Sequence, residues 1–168
     1  MVGPQASGKN TFIANDPILK DLVCMSHDDF VVGKWTREKW EIVHEFFNKT
    51  INIVIKEVDD LVVNDMYLLP EYRAPVVKLA KDHGFKVCAV VMNTSLAQCH
   101  KWNNKRGDRG HYGPIPVDVL NDAYKAFLEN NPIDKIGDIM AAEGFDCVMV
   151  VNPTEGQNGT INSINLTK

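Results

Sequence analysis

A short segment near the start of the chain has the residue types and spacing of a polyphosphate-binding loop. Gly3-Pro-Gln-Ala-Ser-Gly8-Lys9-Asn10 matches the pattern G-x-x-x-x-G-K and leads into a stretch with helical periodicity. Glycines let backbone amides turn toward phosphate oxygens, and a helix start adds partial positive charge. The Lys9 ammonium can bridge the β- and γ-phosphates. The pattern therefore predicts a cradle for ATP or another nucleoside triphosphate, formed by Gly3, Pro4, Gln5, Ala6, Ser7, Gly8, Lys9, Asn10 and Thr11.

Position 10 departs from the usual pattern. Asn10 stands where most such loops have a Ser or Thr whose hydroxyl binds magnesium. Because an amide oxygen is also a hard donor, Asn10 is a candidate Mg²⁺ ligand, with Thr11 or a bridging water as the alternative. Asp65, which follows an apolar run, is a second candidate ligand.

Three carboxylates follow apolar runs that we predict to be strands. Asp28 and Asp29 come after residues 22–25, and Asp65 comes after residues 61–64. Open α/β sheets bind their ligands at the carboxyl ends of parallel strands. A carboxylate beside a bound phosphate can accept the proton of an attacking hydroxyl or hold magnesium. The alternative for Asp28 and Asp29 is a helix cap or a loop turn.

The most basic stretch of the chain, residues 100–111, runs from a predicted helix into a glycine-rich loop. We predict that residues from about 100 to 115 form a lid. An arginine on such a lid can close over the γ-phosphate and stabilise the charge of the transition state. The alternative is a solvated basic helix face.

Short apolar runs alternate with longer helical stretches, which predicts a three-layer α/β fold with a central parallel sheet between helices. Strands are predicted at 22–25, 61–64, 87–92 and 147–151, and helices at 9–15, 36–53, 71–83, 95–104, 117–129 and 134–142. The polar tail, 153–168, is predicted to hold a loop and a short edge strand at 161–166. Only Met1 and Val2 precede Gly3, so the strand before the loop is very short or the natural chain starts earlier.

Composition limits the alternatives. The chain has 168 residues, 45% of them hydrophobic, which is the size of one domain spanning residues 1–168. Its net charge of −4 provides no global attraction to nucleic acid. Because it lacks an apolar run of about 20 residues and an export signal, we expect a cytoplasmic protein without a membrane partner. The cysteines are scattered, which predicts neither a zinc site nor a disulfide framework, and three of the four have the apolar surroundings of core residues.

Together these residues resemble the polynucleotide 5′-hydroxyl kinases of bacteriophage type. The matching pieces occur in family order over about residues 1–128: the phosphate loop, Asp28-Asp29-Phe30, Val63-Asn64-Asp65, 79–87, 104–107 and 116–120. The resemblance implies that Lys9 contacts the donor phosphates, that Asp28 is the general base and that Arg106 is the lid arginine on those phosphates. It also implies that Asp65 lies near the acceptor and the metal.

Two arginines of that family are missing, because Val31 and Trp102 stand at their positions. Trp102 could instead stack on a base of the substrate. The leading hypothesis is an ATP- and Mg²⁺-dependent kinase that phosphorylates a hydroxyl of a nucleic acid. The preferred candidate is the 5′-hydroxyl of DNA or RNA. The missing arginines and the acidic charge motivate a second acceptor class, a hydroxymethylated base or a small molecule. Asn10 and the short first strand motivate a third hypothesis, a nucleotide-binding module without transfer activity.

Overall fold

The computed structural model describes residues 1–33, 36–106, 113–154 and 157–165. Part of the predicted lid, 107–112, lies outside these ranges, as do residues 155–156 and 166–168 of the polar tail. Along the described residues the helices are α1 (Lys9–Asn15), α2 (Arg37–Val54), α3 (Pro70–Asp82), α4 (Leu96–Asn104), α5 (Val117–Asn130) and α6 (Ile136–Ala142). The strands are β1 (Val23–Met25), β2 (Leu61–Val63), β3 (Cys88–Met92), β4 (Cys147–Thr154) and β5 (Gln157–Asn165).

The predicted α/β fold is confirmed, with a parallel sheet and flanking helices. β1 pairs in parallel with β2, and β3 pairs in parallel with β4. β5 pairs with β4 in the antiparallel sense, and this pairing extends β4 beyond its predicted end at residue 151. The edge strand also begins earlier than predicted, at Gln157.

Val2 joins the two halves of the sheet. It forms a parallel bridge to Val91, donating to the Val90 carbonyl at 2.8 Å and accepting from the Met92 amide at 2.9 Å. On the other side, the Met1 nitrogen donates to the Val63 carbonyl at 2.6 Å. The spatial order is therefore β1, β2, Val2, β3, β4 and β5, which places Gly3 at the carboxyl end of the central position.

Alternation along β3 builds a core on both faces of the sheet. Ala89 and Val91 pack on one face in a cluster with Phe127 of α5 and Met140 of α6. Val90 and Met92 pack on the other face in a cluster with Phe12 of α1. Because side chains alternate between faces, a strand buried on both sides reads as a continuous apolar run. These contacts establish helices on both sides of the sheet.

A buried arginine holds the turn that follows β2. Arg73 is 2% exposed, and it donates to the Tyr67 carbonyl at 2.7 Å and to Asn131 Oδ1 at 2.9 Å. It also forms a two-bond ion pair with Glu143, which caps the end of α6. Tyr67 has a left-handed backbone, with φ of 45°. The network ties the segment after β2, which carries Asp65, to the ends of α5 and α6.

The cysteines correct the prediction of unpaired, largely buried thiols. Cys88 and Cys147 begin β3 and β4, lie in register with a Cα–Cα distance of 4.7 Å, and form a disulfide. They are 59 residues apart in sequence, so their proximity depends on strand pairing, which residue spacing does not reveal. Of the other two, Cys99 is buried and Cys24 is exposed. Among the described residues, none of the helices has the length and apolar character needed to cross a membrane.

Candidate functional site

The predicted phosphate loop turns directly into α1 at the carboxyl end of the sheet. Gly8 is the N-cap of α1 and has a left-handed backbone, with φ of 92°, a conformation that glycine adopts without a Cβ penalty. The cap makes no side-chain hydrogen bond, so the first amides of α1 are not taken by a capping side chain. Amides at a helix start that lack such a partner are suited to binding an anion.

Close packing fixes the two glycines of the loop. A Cβ at Gly3 would lie 3.0 Å from both Met92 Cβ and Ser7 Oγ, and one at Gly8 would lie 3.0 Å from Trp102 Cζ3. The indole of Trp102 therefore covers the start of α1. This contact places Trp102 against the predicted phosphate loop, whereas its stacking on a substrate base stays a prediction.

The side chain of Lys9, the first residue of α1, lies across the phosphate loop that precedes it. Its Nζ donates to the carbonyls of Gly3 at 2.9 Å and Pro4 at 2.8 Å. Burial lowers the pKa of Lys9 to about 8, an effect that Asp65 opposes and Arg106 increases. The ammonium thus lies within the cradle. On binding of a polyphosphate, it would replace its contacts to the two carbonyls by contacts to phosphate oxygens.

Asp65 is held in place at the end of β2. One carboxylate oxygen accepts from the Met66 amide at 2.7 Å, and the other is hydrogen-bonded to His27 Nδ1. Burial alone would raise the pKa of Asp65, but the bond and charge of His27, the Met66 amide and the charge of Lys9 hold it below its ordinary value. Asp65 is therefore a carboxylate anion within electrostatic range of the lysine of the loop.

Asp28 and Asp29 have different surroundings. Asp29 completes a capping box with Ser26, accepting from the Ser26 amide at 2.7 Å, and the Ser26 hydroxyl accepts from the Asp28 amide at 3.2 Å. Asp29 thus has the capping role weighed as the alternative. The Asp28 side chain is exposed, and its charge acts on both Lys9 and Arg106. Its role as general base stays a prediction.

Arg106 follows the end of α4, within the predicted lid. Burial lowers the pKa of Arg106, and the charge of Asp28 opposes this shift. Its backbone is fixed through Asn103, whose carbonyl accepts from the Arg106 amide at 3.0 Å. The buried Asn103 side chain also donates to the Ile115 carbonyl at 2.8 Å and accepts from the Ile115 amide at 2.9 Å. Asn103 therefore clamps together the two ends of the segment that contains Arg106.

Hard oxygen donors lie together beside the loop. The Asn64 amide donates to Asn10 Oδ1 at 2.8 Å, whereas Asn64 Oδ1 is buried with no hydrogen-bond partner among the described residues. With the neighbouring Asp65 carboxylate, these oxygens fit a magnesium ion that retains several waters and phosphate oxygens. In the part of the chain that the structure describes, there is no cluster of three or more His, Cys, Asp or Glu suited to a metal. Thr11, the alternative ligand, is exposed on α1.

Three residues of the site were not predicted: Asn64, His27 and Thr94. The Thr94 hydroxyl donates to the Ser7 carbonyl at 2.7 Å and so joins the segment after β3 to the loop. Each of the three follows the carboxyl end of a strand, which is the sequence signal that could have identified them.

Comparison with known proteins agrees with this geometry. A family model described as an AAA domain matches residues 1–130. The AvrRxo1-ORF1:AvrRxo1-ORF2 complex with sulphate ions contains a chain of similar fold, with a TM-score of 0.71 and 16% identity over 97% of this chain and 56% of that one. The corresponding complex with ATP gives a TM-score of 0.68 and 18% identity, over 97% of this chain and 55% of that one.

This chain therefore spans about half the length of those solved chains, and at such low identity the likeness shows the fold alone. The family match covers residues 1–130, which include the phosphate loop, Asp28, Asp65 and Arg106. The chain belongs to the AAA domain family, a P-loop NTPase-like family.

Proposed function

We propose that the chain is an ATP-dependent phosphotransferase that transfers the γ-phosphate to a hydroxyl of a nucleic acid, with the 5′-hydroxyl of DNA or RNA as the first candidate. The observation that carries the proposal is electrostatic. Lys9 on the loop lies within range of the charges of Asp65, Arg106 and Asp28, so two cations and two carboxylates act on the region to which we assign the triphosphate. A structural neighbour solved with ATP supports the choice of donor.

The proposed reaction assigns one task to each group. Loop amides and the Lys9 ammonium hold the β- and γ-phosphates, and Arg106 stabilises the charge that develops on the transferred group. The acceptor oxygen forms a bond to the γ-phosphorus as the bond to the β,γ-bridging oxygen breaks. Asp28 takes the hydroxyl proton, and ADP leaves.

Magnesium would be held through the oxygens of Asn10, Asn64 and Asp65, and when bound it would neutralise part of the phosphate charge. The residues around this site keep those oxygens in place in the structure. Asn64 holds the Asn10 side chain at 2.8 Å, and the Met66 amide and His27 orient the Asp65 carboxylate.

Transfer of label from γ-labelled ATP to 5′-hydroxyl DNA and RNA oligonucleotides tests the proposal. We expect labelled strands with the wild type and a loss of about 100-fold or more in turnover with Asp28→Asn, which keeps the shape but not the basicity of the side chain. Asp29→Asn is the matched control, because Asp29 acts as a helix cap, and it should retain turnover. Circular dichroism must show equal folding of both variants. Intact ATP binding without transfer to any strand would reject this acceptor class.

A second acceptor class is favoured by the surface next to Asp28. Val31, at the position of a missing family arginine, is buried and supplies no cation. The first half of α2 presents the exposed carboxylates Glu38, Glu41 and Glu45 nearby, although Glu45 pairs with Lys49. These carboxylates would weaken the attraction of a polyphosphate strand to this part of the surface. If free nucleosides or small hydroxyl compounds are phosphorylated and compete with oligonucleotides, the acceptor is a small molecule or a hydroxymethylated base.

A further inference from the structure

A histidine that precedes the proposed base has a specific structural setting. His27 is 5% exposed, and both of its ring nitrogens have partners. Nδ1 is hydrogen-bonded to Asp65 across 38 residues of sequence, and Nε2 lies 3.0 Å from His44 Nδ1 on α2. His44, His27 and Asp65 therefore form a row of bonded side chains from the surface of α2 to a carboxylate whose charge acts on Lys9.

Stacking fixes the plane of the His27 ring. Its centroid lies 4.0 Å from that of Phe47, with an interplanar angle of 19°, and 5.0 Å from that of Trp40. The His44 ring is nearly parallel, at 8° and 5.3 Å. An imidazole that stacks on aromatic rings and is bonded at both nitrogens can direct a hydrogen bond at one carboxylate oxygen with little freedom to rotate.

The last member of this row of side chains, Asp65, is a carboxylate that the proposed function uses. With the Met66 amide on one oxygen and His27 on the other, both oxygens of Asp65 are oriented by protein groups. Hydrogen bonds of this kind to a ligating carboxylate set the geometry of a metal site, and their loss commonly lowers metal affinity or activity. Among the described residues, the side-chain hydrogen bonds of His27 go to Asp65 and His44 and not to the loop, so its effect on phosphate chemistry would pass through Asp65.

We propose that His27 is a positioning residue that orients the Asp65 carboxylate for the phosphate loop and the metal ion it would bind. His44 and the stacked aromatic rings hold the imidazole in the required orientation. The effect on turnover rests on the proposed phosphotransfer. The hydrogen bond between His27 and Asp65, and its effect on metal binding, do not depend on that proposed activity.

Two amide variants separate the two sides of the ring. In His27→Asn, the amide nitrogen takes the place of Nδ1 and can still donate to Asp65; in His27→Gln, it takes the place of Nε2 and faces His44. We expect His27→Gln to weaken Mn²⁺ binding by about 10-fold or more in the presence of a non-hydrolysable ATP analogue, and to lower kcat by about 10–100-fold. His27→Asn should stay within about threefold of the wild type on both measures. A purely structural role would affect both variants alike.

Nitrogen NMR of the wild-type histidine rings gives a readout that depends on neither activity nor folding of a variant. We expect Nδ1 of His27 to carry a proton, as donation to Asp65 requires. An unprotonated Nδ1, or equal losses of Mn²⁺ affinity in the two amide variants, overturns the proposal. If the wild type transfers no phosphate, the proposed function fails, and the ring spectrum and the Mn²⁺ titration still decide the role of His27.

Discussion

Lys9 provides the charge on which phosphate binding depends, and its burial makes that charge sensitive to pH. The pKa of Lys9 is lowered to about 8, chiefly by burial in the loop. Below this value the ammonium is present, and above it the free protein has a neutral amine. A bound triphosphate favours the charged form, so its binding above pH 8 requires uptake of a proton.

Proton uptake by Lys9 on binding gives a prediction for ATP affinity in the absence of metal. ATP affinity measured in EDTA should be nearly constant below the pKa of Lys9 and should fall by up to about tenfold for each pH unit above it. Lys9→Met should bind ATP weakly and without this pH dependence. Calorimetry across about pH 7 to 10 provides the measurement. An affinity that is unchanged over this range would show that Lys9 does not contact the phosphates.

Gly8 combines a left-handed backbone with contact against Trp102, and the two effects can be separated. Gly8→Ala adds strain at φ of 92° and a Cβ 3.0 Å from the indole. Gly84→Ala is a matched control, because its φ is 80° and no atom would lie within 4 Å of the new Cβ. We expect Gly8→Ala to lower the free energy of unfolding by about 1–3 kcal/mol more than the control.

Denaturant unfolding measures both glycine variants. The excess cost of Gly8→Ala should shrink in a Trp102→Ala background, since the steric partner is then gone. Equal costs for Gly8→Ala and Gly84→Ala would contradict the placement of Trp102 on the loop.

At the scale of the elements, the Arg73 network determines how α3, α5 and α6 support the segment that carries Asp65. Arg73→Met should lower the free energy of unfolding by about 3–5 kcal/mol, because it leaves Glu143 charged and largely buried without its partner. Lys78→Met is the control on the same helix: Lys78 pairs with Asp82, and both side chains are more than half exposed, at 74% and 55%. It should cost no more than about 1 kcal/mol. Thermal and denaturant unfolding compare the two, and similar costs would show that the buried network is not a major support.

Most elements could be predicted because their signals are local. Continuous apolar runs mark β3 and β4, and the periodic stripe of α2 buries Val43, Phe47 and Ile51, so these elements are present close to their predicted bounds. The ends of β4 and β5 could not be set in the same way, because they depend on pairing with each other. Local chemistry predicts where an element lies, whereas its extent is settled by its neighbours.

The same distinction between local signals and long-range contacts applies to the site. The loop and the carboxylates after β1 and β2 were predictable from spacing, since parallel strands bring their carboxyl ends to one edge. Two adjacent aspartates in the sequence do not reveal that Asp29 caps a turn whereas the charge of Asp28 acts on Arg106. The contact of Trp102 with Gly8 and the bond of His27 to Asp65 join distant parts of the chain, so they depend on packing that residue spacing does not encode.

At the scale of the whole molecule, the order of strands in the sheet brings the segments of the site together. Val2 holds β2 beside β3, and the phosphate loop, the segment with Asp65 and the segment with Thr94 leave the sheet at the same edge. Disturbing this order would separate Lys9 from the carboxylates on which the proposed chemistry relies. The central claim is therefore that one intact fold creates one binding site for a triphosphate.

Calorimetric titration of the wild type with ATP and with AMP, in the presence of Mg²⁺ at neutral pH, tests that claim most directly. Because the loop and Lys9 are proposed to hold the β- and γ-phosphates, we predict saturable binding of one ATP per chain, at least about 100-fold tighter than binding of AMP. This preference should be lost in Lys9→Met. Absence of ATP binding, or equal affinity of the wild type for ATP and AMP, would contradict the account.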